Sequence, residues 1–435
     1  MTETGAHWSL SRLPLLAAAG ALATVPSPRL AGERQEALSA REIDRLVAEY
    51  VELDGVTETG RERQDEILSR LAGLEPLSEG KALAWKKEVW ALWAKGPGLE
   101  KKSGRHFLWE DEEKGLYIIG GETKRPQGLF IGMHGGGVGE GDAWTSHGAF
   151  NGAASGEDWL AIFPEVLVKT ERGWTDSGTE EFVLALVDRA LRTWKIDRNK
   201  IFLGGHSMGG YGAWTLGGHH ADRMAGMIAS AGAPTPYLAG GKVVDIAEGV
   251  VPNLRNTSIV IYQSDDDAQV PPDANRMAVQ KLVEARERWG GFDFEYWEVS
   301  GQGHGPPPGG YGALVEKIHD RVRDPRPRKL VWEQSLPWKR QFYWLWDDAP
   351  RPNRLIVAEI DREKNEVRVA CPADGTGLHV LVDGDLIDGT RELAVFRNDQ
   401  EVFRGTPART VAAILSTGAN GDRELTFESR IPLAR

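Results

Sequence analysis

Lys200-Ile201-Phe202-Leu203-Gly204-Gly205-His206-Ser207-Met208-Gly209-Gly210 is the stretch whose reading decides the fold. A short apolar run enters it, and a segment that can be helical, Tyr211 to Leu216, leaves it. A serine between two glycines at a strand-to-helix turn has the form of a nucleophile elbow. Side chains at positions 205 and 209 would collide with the neighbouring backbone, and the turn lifts the serine hydroxyl out of the fold. Acyl chemistry on an ester or amide is the expectation. Taken alone, G-x-S-x-G is weak in a chain with 52 glycines. Its weight comes from what precedes and follows it.

An acid and then a histidine must follow the serine. Three histidines lie beyond the acid candidates. His319 falls in the amphipathic Leu314-Val315-Glu316-Lys317-Ile318-His319, and His379 in a strand-like run of the C-terminal region. His304 sits in the flexible Ser300-Gly301-Gln302-Gly303-His304-Gly305-Pro306, just after the strand-like Phe292 to Val299. Only such a loop lets an imidazole reach sideways to the serine, so His304 is the predicted base. The acid lies where Ile259-Val260-Ile261-Tyr262 runs into Gln263-Ser264-Asp265-Asp266-Asp267-Ala268-Gln269-Val270-Pro271. Asp267, three residues before Val270, is preferred, and Asp265 and Asp266 stay open. Three adjacent aspartates lack the alternating oxygen ligands of a calcium loop, so no metal is expected there.

Upstream, Leu129-Phe130-Ile131-Gly132-Met133 leads into His134-Gly135-Gly136-Gly137. Glycines let backbone amides turn toward a developing oxyanion. The predicted donors are the amides of Met208 and Gly136, with Gly135 or Gly137 as the fallback. Trp144 after this loop and Trp174 in a Gly-flanked loop are candidate platforms for a sugar or aromatic acyl group. Packing is the competing role for both.

These four features in this order resemble the α/β-hydrolase superfamily. Within it, Trp194-Lys195-Ile196-Asp197 followed by the nucleophile strand and Ser207-Met208-Gly209-Gly210-Tyr211-Gly212-Ala213 is similar to the polyhydroxybutyrate-depolymerase and feruloyl-esterase-like group and its dienelactone-hydrolase relatives. The resemblance covers roughly residues 100 to 325. It implies a serine esterase with Ser207, Asp267 and His304 as triad. Where many relatives have a glycine before the acid turn, this chain has Gln263-Ser264.

A chain of 435 residues is long enough for a full hydrolase body with additions. Its net charge of −12 gives no electrostatic case for nucleic acid or an anionic membrane. The single cysteine, Cys371, excludes internal disulfides and reads as a buried structural thiol. No Cys/His cluster suggests zinc, and the predicted chemistry needs no cofactor. Residues 1–30 read as a signal peptide and linker. Arg12 precedes the apolar Leu13 to Ala23, which is too short to span a bilayer, and Ala21-Leu22-Ala23 fits a cleavage site. A secreted or periplasmic location follows as an expectation. Glu3 and the sparse positive charge ahead of the apolar run leave a cytoplasmic alternative.

Residues 31–98 read as a helical extension packed on the body, with capping boxes at Ser39-Ala40-Arg41-Glu42 and Thr59-Gly60-Arg61-Glu62. Residues 99–325 alternate strand and helix, which predicts an α/β body with a mostly parallel sheet covered on both faces. Helical runs are expected at Glu180 to Trp194, Tyr211 to Leu216, Pro272 to Arg288 and Tyr311 to Val322. After the linker Asp324-Pro325-Arg326-Pro327-Arg328-Lys329, residues 330–435 read as a small β-rich, sandwich-like domain, with Asn398-Asp399 as a hairpin turn.

The expected activity is hydrolysis of carboxylic esters on carbohydrates, phenolic acids or short polyesters, the substrate being an ester that a polymer could carry. One rival is a serine peptidase of the prolyl-oligopeptidase type. The roughly hundred residues ahead of the body are too few for the propeller such enzymes carry, at about 40 residues per blade. The other rival is a hydrolase fold without catalysis that serves as a binding module, which intact Ser207, Asp267 and His304 oppose.

Overall fold

The computed structural model describes residues 38–373 and 375–434. The signal-peptide reading of residues 1–30 lies outside these. The body's strands are β1 (Gly104–Trp109), β2 (Lys114–Gly121), β3 (Gly128–Met133), β4 (Trp159–Pro164), β5 (Ile201–His206), β6 (Gly226–Ser230), β7 (Pro236–Ala239), β8 (Lys242–Ile246), β9 (Ser258–Ser264) and β10 (Phe294–Val299). Eight of them form one sheet in the order β1-β2-β4-β3-β5-β6-β9-β10. β2 runs antiparallel to both its neighbours, and every pair from β4 to β10 is parallel. β7 and β8 pair only with each other, as an antiparallel hairpin.

Alternation along the central strands divides the core into two layers. Ile131, Leu203, Met227 and Ile261 face α5 (Thr179–Thr193), α6 (Met208–His219) and α7 (Asp273–Trp289). Phe130, Phe202, Ile228 and Val260 face α4 (Ala143–Gly156) and α8 (Gly312–Glu316). Both faces are covered, so β3, β4 and β6 are buried along their whole length.

Two helices of the body depart from the sequence reading. α4 was not expected, because Gly148, Gly152 and Gly156 dilute its apolar pattern; it starts where Asp142 accepts the amide of Thr145 at 2.9 Å. α8 ends at Glu316 instead of running to Val322. The chain is drawn off it toward Arg323, whose amide donates to the carbonyl of Asn199. The buried guanidinium of Arg323 meets Asp422 at 2.6 Å and the Asp222 carbonyl at 2.7 Å. That carboxylate neutralises a cation inside the protein and ties the end of the body to the C-terminal region.

The extension forms α1 (Ala40–Glu52), α2 (Glu58–Leu71) and α3 (Glu79–Trp93). Ser39 caps α1. The second cap is Thr57 rather than Thr59, which lies inside the helix; Thr57 Oγ1 accepts the Gly60 amide at 3.1 Å. The three helices bury Leu46, Val47, Ile67 and Val89 against α9 (Val411–Gly418), so their main partner is the C-terminal region and not the body. Trp93 makes the contact with the body, under the guanidinium of Arg192.

The C-terminal region has a five-stranded sheet (Lys329–Glu333, Leu355–Asp361, Glu366–Ala370, Leu393–Arg397, Gln400–Gly405) and a four-stranded one (Gln341–Phe342, Leu345–Asp347, Leu378–Val382, Ser429–Pro432). Trp332 of the first stacks on Phe342 of the second at 5.6 Å. Asn398 and Asp399 take φ 46° and 64°, the turn that a two-residue hairpin requires. Cys371 is half-buried at a strand end rather than in the core.

Leu415 on α9 is fully buried among the extension's helices. Leu415→Ala should cost about 2–5 kcal/mol. In chemical denaturation the extension and the C-terminal region should lose stability together; a change below about 0.5 kcal/mol would contradict this packing.

Candidate active site

Ser207 stands between β5 and α6 at φ 58° and ψ −124°. A non-glycine residue with positive φ costs of order 1–3 kcal/mol. The turn is over-determined by its surroundings. The Ser207 amide donates to the Ser230 carbonyl at 2.8 Å, and the Ser207 carbonyl accepts from Gly210 and Tyr211. A Cβ at Gly205 would lie 2.2 Å from the Gly209 carbonyl oxygen, and one at Gly209 would lie 2.2 Å from that of Met133. Only glycine fits either place. The elbow sits at the carboxyl end of a central parallel strand, in a sheet whose antiparallel strands are confined to one edge. The body has the α/β-hydrolase fold.

Similarity to known proteins is slight. No protein-family model and no curated protein matches the chain. Among solved structures, a thermostable esterase is similar over 51% of this chain and 63% of its own, with 19% identity and a TM-score of 0.39. The chain thus spans less than two thirds of that protein. A phospholipase/carboxylesterase from Dyadobacter fermentans is similar over 51% and 99%, with 16% identity and a TM-score of 0.34. An arylesterase is similar over 59% and 98%, with 14% identity and a TM-score of 0.38. At such scores the sheet order and the elbow identify the fold, and the neighbours' activities do not transfer.

Within this hydrolase body, the loop after β10 carries His304 to the serine. His304 Nε2 lies 2.8 Å from Ser207 Oγ, and its Nδ1 lies 2.7 Å from Asp267 Oδ2. A carboxylate only accepts, so Nδ1 carries the hydrogen and Nε2 is free to take the serine proton. Asp267 is buried, and its other oxygen accepts the amides of Gln269 and Val270, each at 2.9 Å. The carboxylate therefore has a fixed orientation. His319 pairs with Glu157 and His379 with Asp348, both away from the serine.

The two neighbouring aspartates hold the histidine loop. Asp266 accepts the amides of Gly301 and Gly303 at 3.1 and 3.0 Å, and Asp265 accepts the Ser300 hydroxyl at 2.7 Å. Gln263 and Ser264 close the acid turn. Gln263 Nε2 donates to the Val270 carbonyl at 2.9 Å, and Ser264 Oγ accepts the Gln302 amide at 3.2 Å.

His206, the variable residue of the motif, is a positioning group that the sequence did not disclose. Its Nε2 donates to the His304 carbonyl at 3.1 Å, which leaves Nδ1 to accept the Ser230 hydroxyl at 2.9 Å. Burial first, and the nearby His304 second, push its pKa down to about 4. It is a neutral ring that ties β5 to the histidine loop.

His134 shapes the glycine loop. Its Nδ1 donates to the Gly135 carbonyl at 2.8 Å, and its Nε2 accepts the Val166 amide at 3.2 Å. The Gly135 carbonyl is thereby turned inward, and the N–H of the same peptide, that of Gly136, points the other way. Gly135 itself abuts Ser207: a Cβ there would lie 3.2 Å from Ser207 Cβ. Trp174 is corrected from platform to support. It is 1% exposed, and its indole N–H donates to the His134 carbonyl at 2.9 Å. Trp144 is exposed on the first turn of α4 and packs edge-on to His147. It lines a surface hollow with β1 and β2 in which no triad residue takes part.

The lowered pKa of His206 fixes a pH response. The folded value of about 4 lies below the ordinary 6.5, so the unfolded chain binds the proton first as pH falls. The stabilising effect of the neutral ring is full above pH 6.5 and is lost progressively toward pH 4. The thermal midpoint should fall across that window, and more gently in His206→Phe. Parallel curves for the two proteins would contradict the assignment.

Proposed function

We propose that the chain is a serine carboxylic-ester hydrolase. The observation that carries this reading is the unbroken hydrogen-bonded chain Ser207–His304–Asp267 at an elbow strained to present the serine. His304 removes the proton from Ser207 as Oγ attacks the ester carbonyl. Asp267 keeps the imidazole in the correct tautomer and stabilises its cationic form. The amides of Met208 and Gly136 take the oxyanion of the tetrahedral intermediate. Among the described residues neither N–H has a backbone acceptor, as a hole awaiting an oxyanion requires. The protonated His304 then delivers its proton to the leaving alcohol. Water, activated by the same ring, attacks the acyl-enzyme and releases the acid.

The substrates in view are esters on carbohydrates, phenolic acyl esters and short polyesters, and export from the cell is part of the same proposal. The peptidase and binding-module readings stay as the outcomes that would replace it. A p-nitrophenyl ester series from acetate to octanoate, with a feruloyl ester, should be turned over by the wild type. Ser207→Ala should lower kcat by about 10³–10⁶-fold. Asp267→Asn should lower it by about 10⁴-fold, because the ring loses its tautomer control. Absence of turnover with every ester, together with cleavage of a peptide, would move the assignment to a peptidase.

A further inference from the structure

One sizeable cavity lies away from the triad. It holds about 820 Å³ and opens where the helical extension, α5 of the body and the C-terminal region meet. That is within the range of small-molecule sites, roughly 300–1,000 Å³. Three cations, Lys114, Arg223 and Arg340, and three anions, Asp54, Glu181 and Asp188, line it. The wall has no net charge, so neither an anion nor a cation is favoured as occupant. It is nevertheless dense in hydrogen-bonding groups. Arg223 and Arg340 stand in it ion-paired, to Asp188 at 2.5 Å and to Asp65 at 2.6 Å. Neither Lys114 nor Glu181 has an ion-pair partner among the described residues; the Lys114 ammonium rests over the ring of Trp109.

Aromatic surface completes the wall. Trp338 lines the cavity with one face stacked on His220 at 5.7 Å, so its ring is held flat. Trp109, 39% exposed, leans on Phe182. A charge-neutral wall that mixes donors, acceptors and rigid indoles suits a ligand whose hydroxyls donate and accept alike and whose C–H faces are apolar. We propose that this cavity binds a neutral oligosaccharide. Such a site would hold a glycan chain beside the catalytic body, and it stands whether or not the triad hydrolyses esters.

Calorimetric titration of full-length Ser207→Ala with the neutral β-1,4-linked hexasaccharides of xylose, glucose and mannose tests the proposal. At least one should bind, and Trp338→Ala should weaken that binding at least tenfold. Glu181→Gln, a nearly isosteric change at a half-buried position of α5, should also weaken it, while turnover of p-nitrophenyl acetate by the wild-type background stays unchanged. No binding of any of the three at millimolar concentration would overturn the proposal, as would binding that survives both substitutions.

Discussion

The backbone at Ser207 is the constraint on which the site depends. A serine at φ 58° is unfavourable by itself and is held by hydrogen bonds from β6 and the first turn of α6, with glycines where any Cβ would strike a carbonyl. Because the turn is fixed, the hydroxyl stands at one place relative to β5. Every other functional group can then be judged by whether it reaches that place. His304 does, through a loop that has no regular structure of its own.

That loop is held from three sides. Asp265 and Asp266 take its amides and hydroxyl, His206 takes the His304 carbonyl, and the hydroxyl of Tyr262 donates to the Pro306 carbonyl at 3.2 Å. The run of three aspartates is therefore a division of labour. Asp267 orients the imidazole, and its two predecessors orient the backbone that carries it. His206 and Ser230 link this assembly to β5, so serine and histidine share a common support.

The body was legible in the sequence because its signals are local. Apolar strands ending in Ser207, Asp267 and the His304 loop each announce themselves by composition, and their order along the chain matches their meeting in space. Asp267 could be preferred over its neighbours from its spacing to Val270, whose amide it accepts. The structural tasks of Asp265 and Asp266 could not be read, since their partners lie some 35 residues away. His206 gave no signal beyond its place in the motif, because its partner atoms, the Ser230 hydroxyl and the His304 carbonyl, belong to other elements. Trp174 was misread for the same reason: a Gly-flanked loop residue looks exposed until the glycine loop is packed over it. α4 escaped notice because small residues replace the usual apolar stripe, and α9 because it is only eight residues long and its buried Val411, Ile414 and Leu415 meet an extension more than three hundred residues away.

Reaction with a fluorophosphonate, followed by mass spectrometry of the digested protein, tests the central claim most directly. The account predicts one adduct per chain, on the peptide that contains Ser207, formed at least a hundredfold more slowly when His304 is replaced by glutamine. Modification at another serine, or equal labelling with and without His304, would contradict it.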